Sequence, residues 1–309
     1  METVLITGGS GLIGKHLCRR LKEKGFNVTI LSTTRQKVEG VTTYFWDISK
    51  KIIEKKAIED ADYIIHLAGA NIGEKRWTTE RKRIIIDSRI KSAELIFHTV
   101  KENNKTLKAF VSASAVGYYG AITTDKIFTE TDQSATDFLG ETCRLWEQSA
   151  ERFNELGIRT VKIRTGFVLA HQDRALSKMI TQIKLGIGSA LGNGKQYLPW
   201  IHIEDLCQLY IRALEDKKMN GSYNAVAPDI RTNKEFTHVL ARILNKPFWF
   251  PNIPAFLIKL VYGKMSDVIL KGSKVSCAKI ISMNFTFKFP NLENAFMDLF
   301  KAGRQNTAQ

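Results

Sequence analysis

The chain has 309 residues, 44% of them hydrophobic and 25% charged, which suits a soluble globular protein built as one substantial domain or as a larger and a smaller one sharing a core. Its 46 Lys and Arg against 31 Asp and Glu leave a formal net charge of +15. The cations are spread along the chain rather than blocked together, so a solvated basic surface is expected and a nucleic-acid partner is not.

Val4-Leu5-Ile6 reads as a short buried strand, and Gly8-Gly9-Ser10-Gly11-Leu12-Ile13-Gly14 follows it. Next comes KHLCRRLKEKG, with helical spacing through Leu17 and Leu21 and a stop at Gly25. Strand, glycine loop and helix form the context in which a phosphate-binding fingerprint has meaning. Gly9, Gly11 and Gly14 fit G-x-G-x-x-G, and Gly8, Gly11 and Gly14 fit G-x-x-G-x-x-G equally well. Either spacing lets the backbone turn tightly and approach a pyrophosphate, whose charge meets the N–H groups of a helix N-terminus. Gly8, Gly11, Leu12, Ile13 and Gly14 are therefore candidate cofactor-binding residues.

The second strand, Val28 to Leu31, ends about 20 residues on, where a carboxylate would bond an NAD ribose. The chain reads Ser32-Thr33-Thr34-Arg35 instead, without an acid and with a guanidinium suited to a 2′-phosphate. NADP(H) is thus expected in preference to NAD(H), with Ser32, Thr33 and Arg35 as contacts; a plain surface loop is the alternative. Tyr44 to Asp47 reads as a third strand with a terminal acid, and Asp62 to Gly69 as a fourth whose small ending, Leu67-Ala68-Gly69, would let the cofactor pass. A long helix around Ile84 to Val100 and a strand from Ala109 to Ser112 lead into SASAVGYYG, residues 112–120. Strands alternating with helices predict an α/β fold, a Rossmann doubly wound parallel sheet with ligands at the carboxyl ends of its strands. The dinucleotide-binding domain is expected over 1–170, with the chain returning to it at about 200–228. A smaller C-terminal substrate domain takes 171–199 and 229–309.

TGGSGLIG, the Asp at the third strand, HLAG and a serine-rich strand ending in YYG resemble the extended short-chain dehydrogenase/reductases. Longer stretches, HLAGANIGEKRWTTERK, RLWEQSAE, RTGFVLA, LGNGKQYLPWIHIEDL and NAVAPDIRTNKEF, are similar over nearly the full chain to the atypical "epimerase family" subgroup, which carries a C-terminal domain of unknown function. The resemblance implies NADP(H) on a Rossmann domain and an undefined small-molecule substrate. It also implies a phosphate contact for Arg89 and for Ser32, a cofactor contact for Asp47, and a substrate cleft near Gln196, Trp200 and His202. At Thr33 the family usually has arginine, so Arg35 would have to substitute.

A larger departure concerns proton transfer. Typical members use a Tyr-x-x-x-Lys pair, the lysine lowering the tyrosine pKa, together with a Ser or Thr from the preceding strand. None of the eight tyrosines here has a lysine four residues later. Aligned on Glu147, the tyrosine slot falls at Leu139 and the lysine slot at Cys143; aligned on Tyr119-Gly120, Ala115 takes the serine slot with Ser114 beside it. Ser114, Tyr118 and Tyr119 remain as candidate catalytic residues, against the alternative that one tyrosine lines the pocket and the other packs beneath the loop. His66, inside a strand, reads as a core residue, and His202 follows Trp200 where the chain is expected to return to the sheet.

The four cysteines, Cys18, Cys143, Cys207 and Cys277, form no C-x-x-C pair, which argues against a zinc site or disulfide framework and for a reducing, cytoplasmic setting. METVLITGG opens on a strand rather than a signal peptide, and the apolar segment Ile253 to Tyr262 is short and interrupted by Lys259. No metal, membrane or nucleic-acid partner is expected, and a monomer or homodimer is. The sequence therefore reads as an NADP(H)-binding, epimerase- or reductase-like oxidoreductase. The alternatives are a catalytically inactive NADPH sensor acting through a protein partner and, on charge alone, a nucleic-acid-associated protein.

Overall fold

The computed structural model describes residues 1–34 and 40–305, with side chains as far as Lys301. Its strands and helices begin β1 (Thr3–Thr7), α1 (Leu12–Glu23), β2 (Asn27–Ser32), β3 (Thr42–Asp47), β4 (Ile52–Ile53), α2 (Lys55–Glu59), β5 (Tyr63–His66), α3 (Thr79–Glu102) and β6 (Ala109–Ala115). There follow β7 (Ile127–Phe128), α4 (Phe138–Glu151), β8 (Thr160–Thr165), β9 (Phe167–Leu169), α5 (Arg174–Lys184), β10 (Trp200–His202), α6 (Ile203–Glu215) and β11 (Gly221–Ala225). The chain ends with α7 (Asn233–Ile243), α8 (Ala255–Tyr262), α9 (Ser266–Leu270), β12 (Lys274–Val275), α10 (Ala278–Ser282) and α11 (Leu292–Gln305).

The main sheet has eight strands in the order β11-β8-β6-β5-β1-β2-β3-β4. Pairing is parallel from β3 through β2, β1 and β5 to β6, and the short β4 runs antiparallel against Trp46 and Asp47 of β3. All five residues of β1, TVLIT, are buried, as a central parallel strand covered on both faces requires. Strand order reverses between β1 and β5, so the loops leaving these two strands border the position where open α/β sheets take ligands. The α/β doubly wound architecture read from the alternating elements is the one observed.

The chain divides into two compact units. The first comprises Met1–Tyr118, Glu141–Arg164 and Cys207–Tyr223, and its core packs Leu5, Leu31, Trp46, Ile64, Phe97, Phe110 and Phe153. Phe110 and Phe153 stack at 3.7 Å between ring centroids, and Phe97 meets Phe153 edge-on at 5.5 Å. α3 starts at Thr78, whose hydroxyl accepts the Arg81 N–H at 3.1 Å.

The second unit comprises Tyr119–Gly140, Thr165–Leu206 and Asn224–Gln309, with a core of Leu176, Trp200, Phe236, Leu240, Phe289 and Phe296. A capping box joins Thr232 and Glu235 at the start of α7. The sequence places the chain's return to the sheet at Trp200 to His202, but β10 pairs in parallel with β9 in a separate two-stranded sheet. Re-entry to the main sheet is made later, by β11.

Candidate functional site

The loop between β1 and α1 holds its glycines for different reasons. Gly8 has φ +71°, and a Cβ there would stand 3.0 Å from the Leu67 carbonyl carbon, so this turn needs glycine where it passes the end of β5. At Gly9 a Cβ would meet Ile30 Cγ2 at 2.4 Å, and at Gly14 it would meet the Gly8 carbonyl oxygen at 2.3 Å. Gly11 differs. Its φ is −74°, open to any residue, and among the described residues beyond its chain neighbours only the Gly8 oxygen, at 3.2 Å, comes within 4 Å of its Cβ position. Gly11 is the N-cap of α1, with no side-chain cap and no acid in the first turn, leaving the helix N-terminus electropositive. Of these four glycines, Gly11 is the one that its surroundings constrain least.

The end of β5 is fixed by its neighbours. Thr7 Oγ1 accepts the Ala68 N–H at 3.1 Å and lies 2.8 Å from His66 Nδ1, while Ser92 Oγ lies 3.1 Å from His66 Nε2. His66 is fully buried, and desolvation pushes its pKa down to about 4, so at neutral pH it is a neutral core imidazole. Beyond it, a Cβ on Gly69 would lie 3.1 Å from Arg89 Cζ. Arg89 is not the helix-surface arginine that its sequence position also allows. It is buried, donates from Nη1 to the carbonyls of Ala70 and Ile85, and stacks over Trp146 at 4.7 Å. Burial lowers its pKa from the usual arginine value.

At the ends of β2 and β3 the candidate residues are more open. Ser32 Oγ accepts the Thr34 N–H at 3.2 Å, and Thr33 is exposed. Arg35 lies outside the described residues. Asp47 Oδ1 accepts from Ser49 Oγ, Ser49 N and Lys50 N, and the Ser49 hydroxyl and these N–H bonds hold its carboxyl below the usual carboxylate range.

Ser114, Tyr118, Glu147, Arg164 and Ser222 of the first unit form one polar cluster. Glu147 Oε1 accepts from Ser114 Oγ at 2.7 Å and Arg164 Nε at 2.8 Å; its Oε2 accepts from Arg164 Nη2 at 2.9 Å and Ser222 Oγ at 3.2 Å. The pair is buried on both sides, so its charges depend on each other. The Arg164 guanidinium carbon sits 3.5 Å from the Tyr118 ring centroid, fixing that ring face-on. Sequence reasoning used Glu147 only as an alignment marker and missed Arg164 and Ser222 altogether.

Cys143, in the lysine slot of α4, is buried; desolvation and then the Glu147 charge push its thiol up to about 12, so it supplies neither a cation nor a thiolate. In the second unit, Tyr119 is also buried, its hydroxyl donating to Asn224 Oδ1 at 2.7 Å and its ring stacked 5.0 Å from Phe128. Asn224 is held in turn, donating to the Ser276 carbonyl and, through its backbone, to Glu130. Of the two tyrosines, Tyr118 is partly exposed and Tyr119 is buried.

The residues expected to line a substrate cleft are buried as well. Gln196 Nε2 donates to the Leu191 and Ile269 carbonyls, Trp200 Nε1 donates to the Asp229 carbonyl, and His202 packs 4.0 Å from Phe289 with Nε2 3.5 Å from Asp298. The reason is their neighbours: β10 and the loop before it run through the second unit's core. No group of three His, Cys, Asp or Glu that could hold a metal ion occurs among the described residues.

Residues 4–226 match the model of the NAD dependent epimerase/dehydratase family, and residues 253–299 match a domain of unknown function. An epimerase family protein of Staphylococcus aureus (strain NCTC 8325 / PS 47) is 35% identical over 306 residues, 97% of this chain and 100% of that protein. The epimerase family protein YfhF of Bacillus subtilis (strain 168) is 35% identical over 298 residues, 96% of this chain and 97% of that one. Among solved structures, human epimerase family protein SDR39U1 with NADPH is similar with a TM-score of 0.86 at 28% identity, covering 96% of this chain and 98% of that chain.

Proposed function

The chain belongs to the NAD dependent epimerase/dehydratase family, and from that premise we propose that it binds NADP(H) on its first unit and reduces a carbonyl substrate, with Tyr118 as proton donor in place of the missing Tyr-x-x-x-Lys pair. The observation that carries the reading is Gly11: a helix N-terminus without a side-chain cap, whose N-cap is a glycine with little around its Cβ position beyond the Gly8 carbonyl oxygen, fits a pyrophosphate. The N–H groups of Leu12, Ile13 and Gly14 would hold that diphosphate, with Gly11, whose own N–H closes the turn on the Gly8 carbonyl, letting it approach. Ser32 and Thr33, with Arg35 beyond them, would meet a 2′-phosphate. Asp47, Leu67, Ala68 and Gly69 lie along the same series of strand ends, and Arg89 of α3 reaches the segment after β5 through the Ala70 carbonyl. The NADPH carried by the human relative supports this choice of cofactor.

When bound, NADPH supplies a hydride. The chain's own task is then to deliver a proton to the oxygen being reduced. Tyr118 is the group placed for it, its ring held by Arg164 and that guanidinium by Glu147. Ser114 is committed to Glu147 and acts on this arrangement from behind. Leu139 and Cys143 offer nothing in the slots that ordinary epimerisation uses, so activity on common nucleotide sugars is not expected.

The test is NADPH oxidation against a panel of carbonyl compounds by the wild type, Tyr118→Phe and Tyr119→Phe. Tyr118→Phe should lose about 10²- to 10⁴-fold in turnover at unchanged NADPH affinity, and Tyr119→Phe should lose stability rather than rate. Turnover that survives Tyr118→Phe overturns the assignment. Tight NADPH binding with no turnover on any carbonyl favours the sensor reading.

A further inference from the structure

The second unit displays an apolar surface that its own core does not use. α8 reads AFLIKLVY, and Ile258 is its only buried residue. Phe256, Leu257, Leu260 and Val261 are exposed, Phe256 and Leu260 by 66% and 73%. These four positions fall on one side of a helix, since residues four apart lie one above the other. Trp249 is 71% exposed just upstream, beside an exposed Phe250. Single exposed hydrophobic residues are ordinary, but six within one short stretch mark an interaction surface.

This surface is held in place. Ile253, between the aromatic pair and the helix, is tied on both sides: its N–H donates to the Ala190 carbonyl at 2.9 Å, and its carbonyl accepts the Gly192 N–H at 2.8 Å. Pro254 begins the helix, and Gly263, with φ +57°, ends it. The apolar face is therefore a rigid feature of the fold.

Charge selects the occupant. Lys246, Lys259 and Lys264 are exposed around the apolar residues, and there is no Asp or Glu from Lys246 to Ser266. The first acid, Asp267, is paired with Lys271 at 3.0 Å. A second copy of this chain is a poor match, because a two-fold interface would bring together two faces that carry lysines and no acid, between molecules of net charge +15. An anionic bilayer surface matches both features, taking the Trp, Phe and Leu side chains at the level of the acyl boundary and the lysines among the headgroups. No helix among the described residues is long and apolar enough to cross a membrane, but lying on one requires only such a face. We propose that α8 and the aromatic stretch before it form a docking face for an anionic lipid surface, which the protein binds peripherally.

Co-sedimentation of the full chain with unilamellar vesicles tests this, using phosphatidylcholine alone and phosphatidylcholine mixed with phosphatidylglycerol. Binding should be strong on the mixed vesicles, weak on the neutral ones and reduced by added salt. Phe256→Asp with Leu260→Asp should abolish it while leaving the circular-dichroism melt unchanged, because both side chains are already in water. Lys259→Glu and Lys264→Glu should each weaken partitioning by at least about fivefold, the factor that corresponds to about 1 kcal/mol per lysine at such a surface. Equal or absent binding on the two vesicle types overturns the proposal, as does binding that survives the aspartate variant. A dimer in sedimentation velocity that Leu260→Asp dissociates, without any vesicle binding, would assign the face to a second copy instead.

Discussion

Gly11 and Gly14 are three residues apart at the start of α1, yet their substitutions should fail in opposite ways. Gly14→Ala puts a carbon against the Gly8 backbone, which cannot yield without opening the β1–α1 turn, so it should lower the melting temperature. Gly11→Val sets its Cβ 3.2 Å from the Gly8 carbonyl oxygen, a tight approach that asks this oxygen to give by a few tenths of an ångström, so it should cost less stability than Gly14→Ala. Its isopropyl group would nevertheless fill the space offered to a pyrophosphate, so NADPH binding, read by protein-to-nicotinamide energy transfer, should be lost. Wild-type affinity in Gly11→Val would place the site elsewhere. His66 makes a second prediction at this scale. Its folded pKa of about 4 lies below the unfolded value near 6.5, so between these limits the unfolded chain binds the extra proton. The contribution from a neutral His66 is complete above pH 6.5 and is lost progressively as pH falls toward 4, by up to about 3 kcal/mol. Urea unfolding at pH 7.5 and pH 4.5 should show this loss, and His66→Gln should show a flatter pH profile.

α4 carries Leu139 and Cys143, and its cysteine can be interrogated directly. With a thiol pKa of about 12, roughly one Cys143 in ten thousand is thiolate at pH 8. Iodoacetamide at that pH, followed by peptide mass spectrometry, should leave Cys143 unmodified in the native protein and label it in urea; rapid native labelling would show an accessible thiolate. β1, β2, β3 and β5 were readable from the sequence, because continuous apolar runs between turn residues have few other readings. β4 was not, since two residues carry no period, and β6 runs on through Ser-Ala-Ser-Ala, whose small side chains give no strand signal. The same contrast governs the site. The glycine loop could be read because a backbone constraint is written in residue type. The Glu147 cluster could not, because Arg164 and Ser222 stand 17 and 75 residues away and only the adjacency of β6, β8 and β11 in the sheet brings them together.

For the whole molecule, the division into two units turns cofactor preference into a measurable property of folding. Every residue proposed to hold the dinucleotide, from Gly8 to Arg89, belongs to the first unit. A ligand that binds only the folded state stabilises the unit that binds it, by about 2.7 kcal/mol at a concentration 100-fold above its Kd. Scanning calorimetry with NADPH should therefore raise the transition of the first unit by several degrees. If the second unit melts separately, its transition should stay where it is. NADH at the same concentration should give a smaller shift, because Ser32-Thr33-Thr34-Arg35 offers hydroxyls and a guanidinium but no carboxylate for a bare ribose. Arg35→Ala should narrow the difference between the two nucleotides by as much as the roughly 1.5 to 3 kcal/mol that a hydrogen bond to a charged group contributes. Added salt should narrow it too, since a guanidinium–phosphate contact open to solvent would be screened. Equal shifts with NADPH and NADH in the wild type would mean that the end of β2 does not read the 2′-phosphate, and the cofactor preference would then have to be sought among the other strand-end residues.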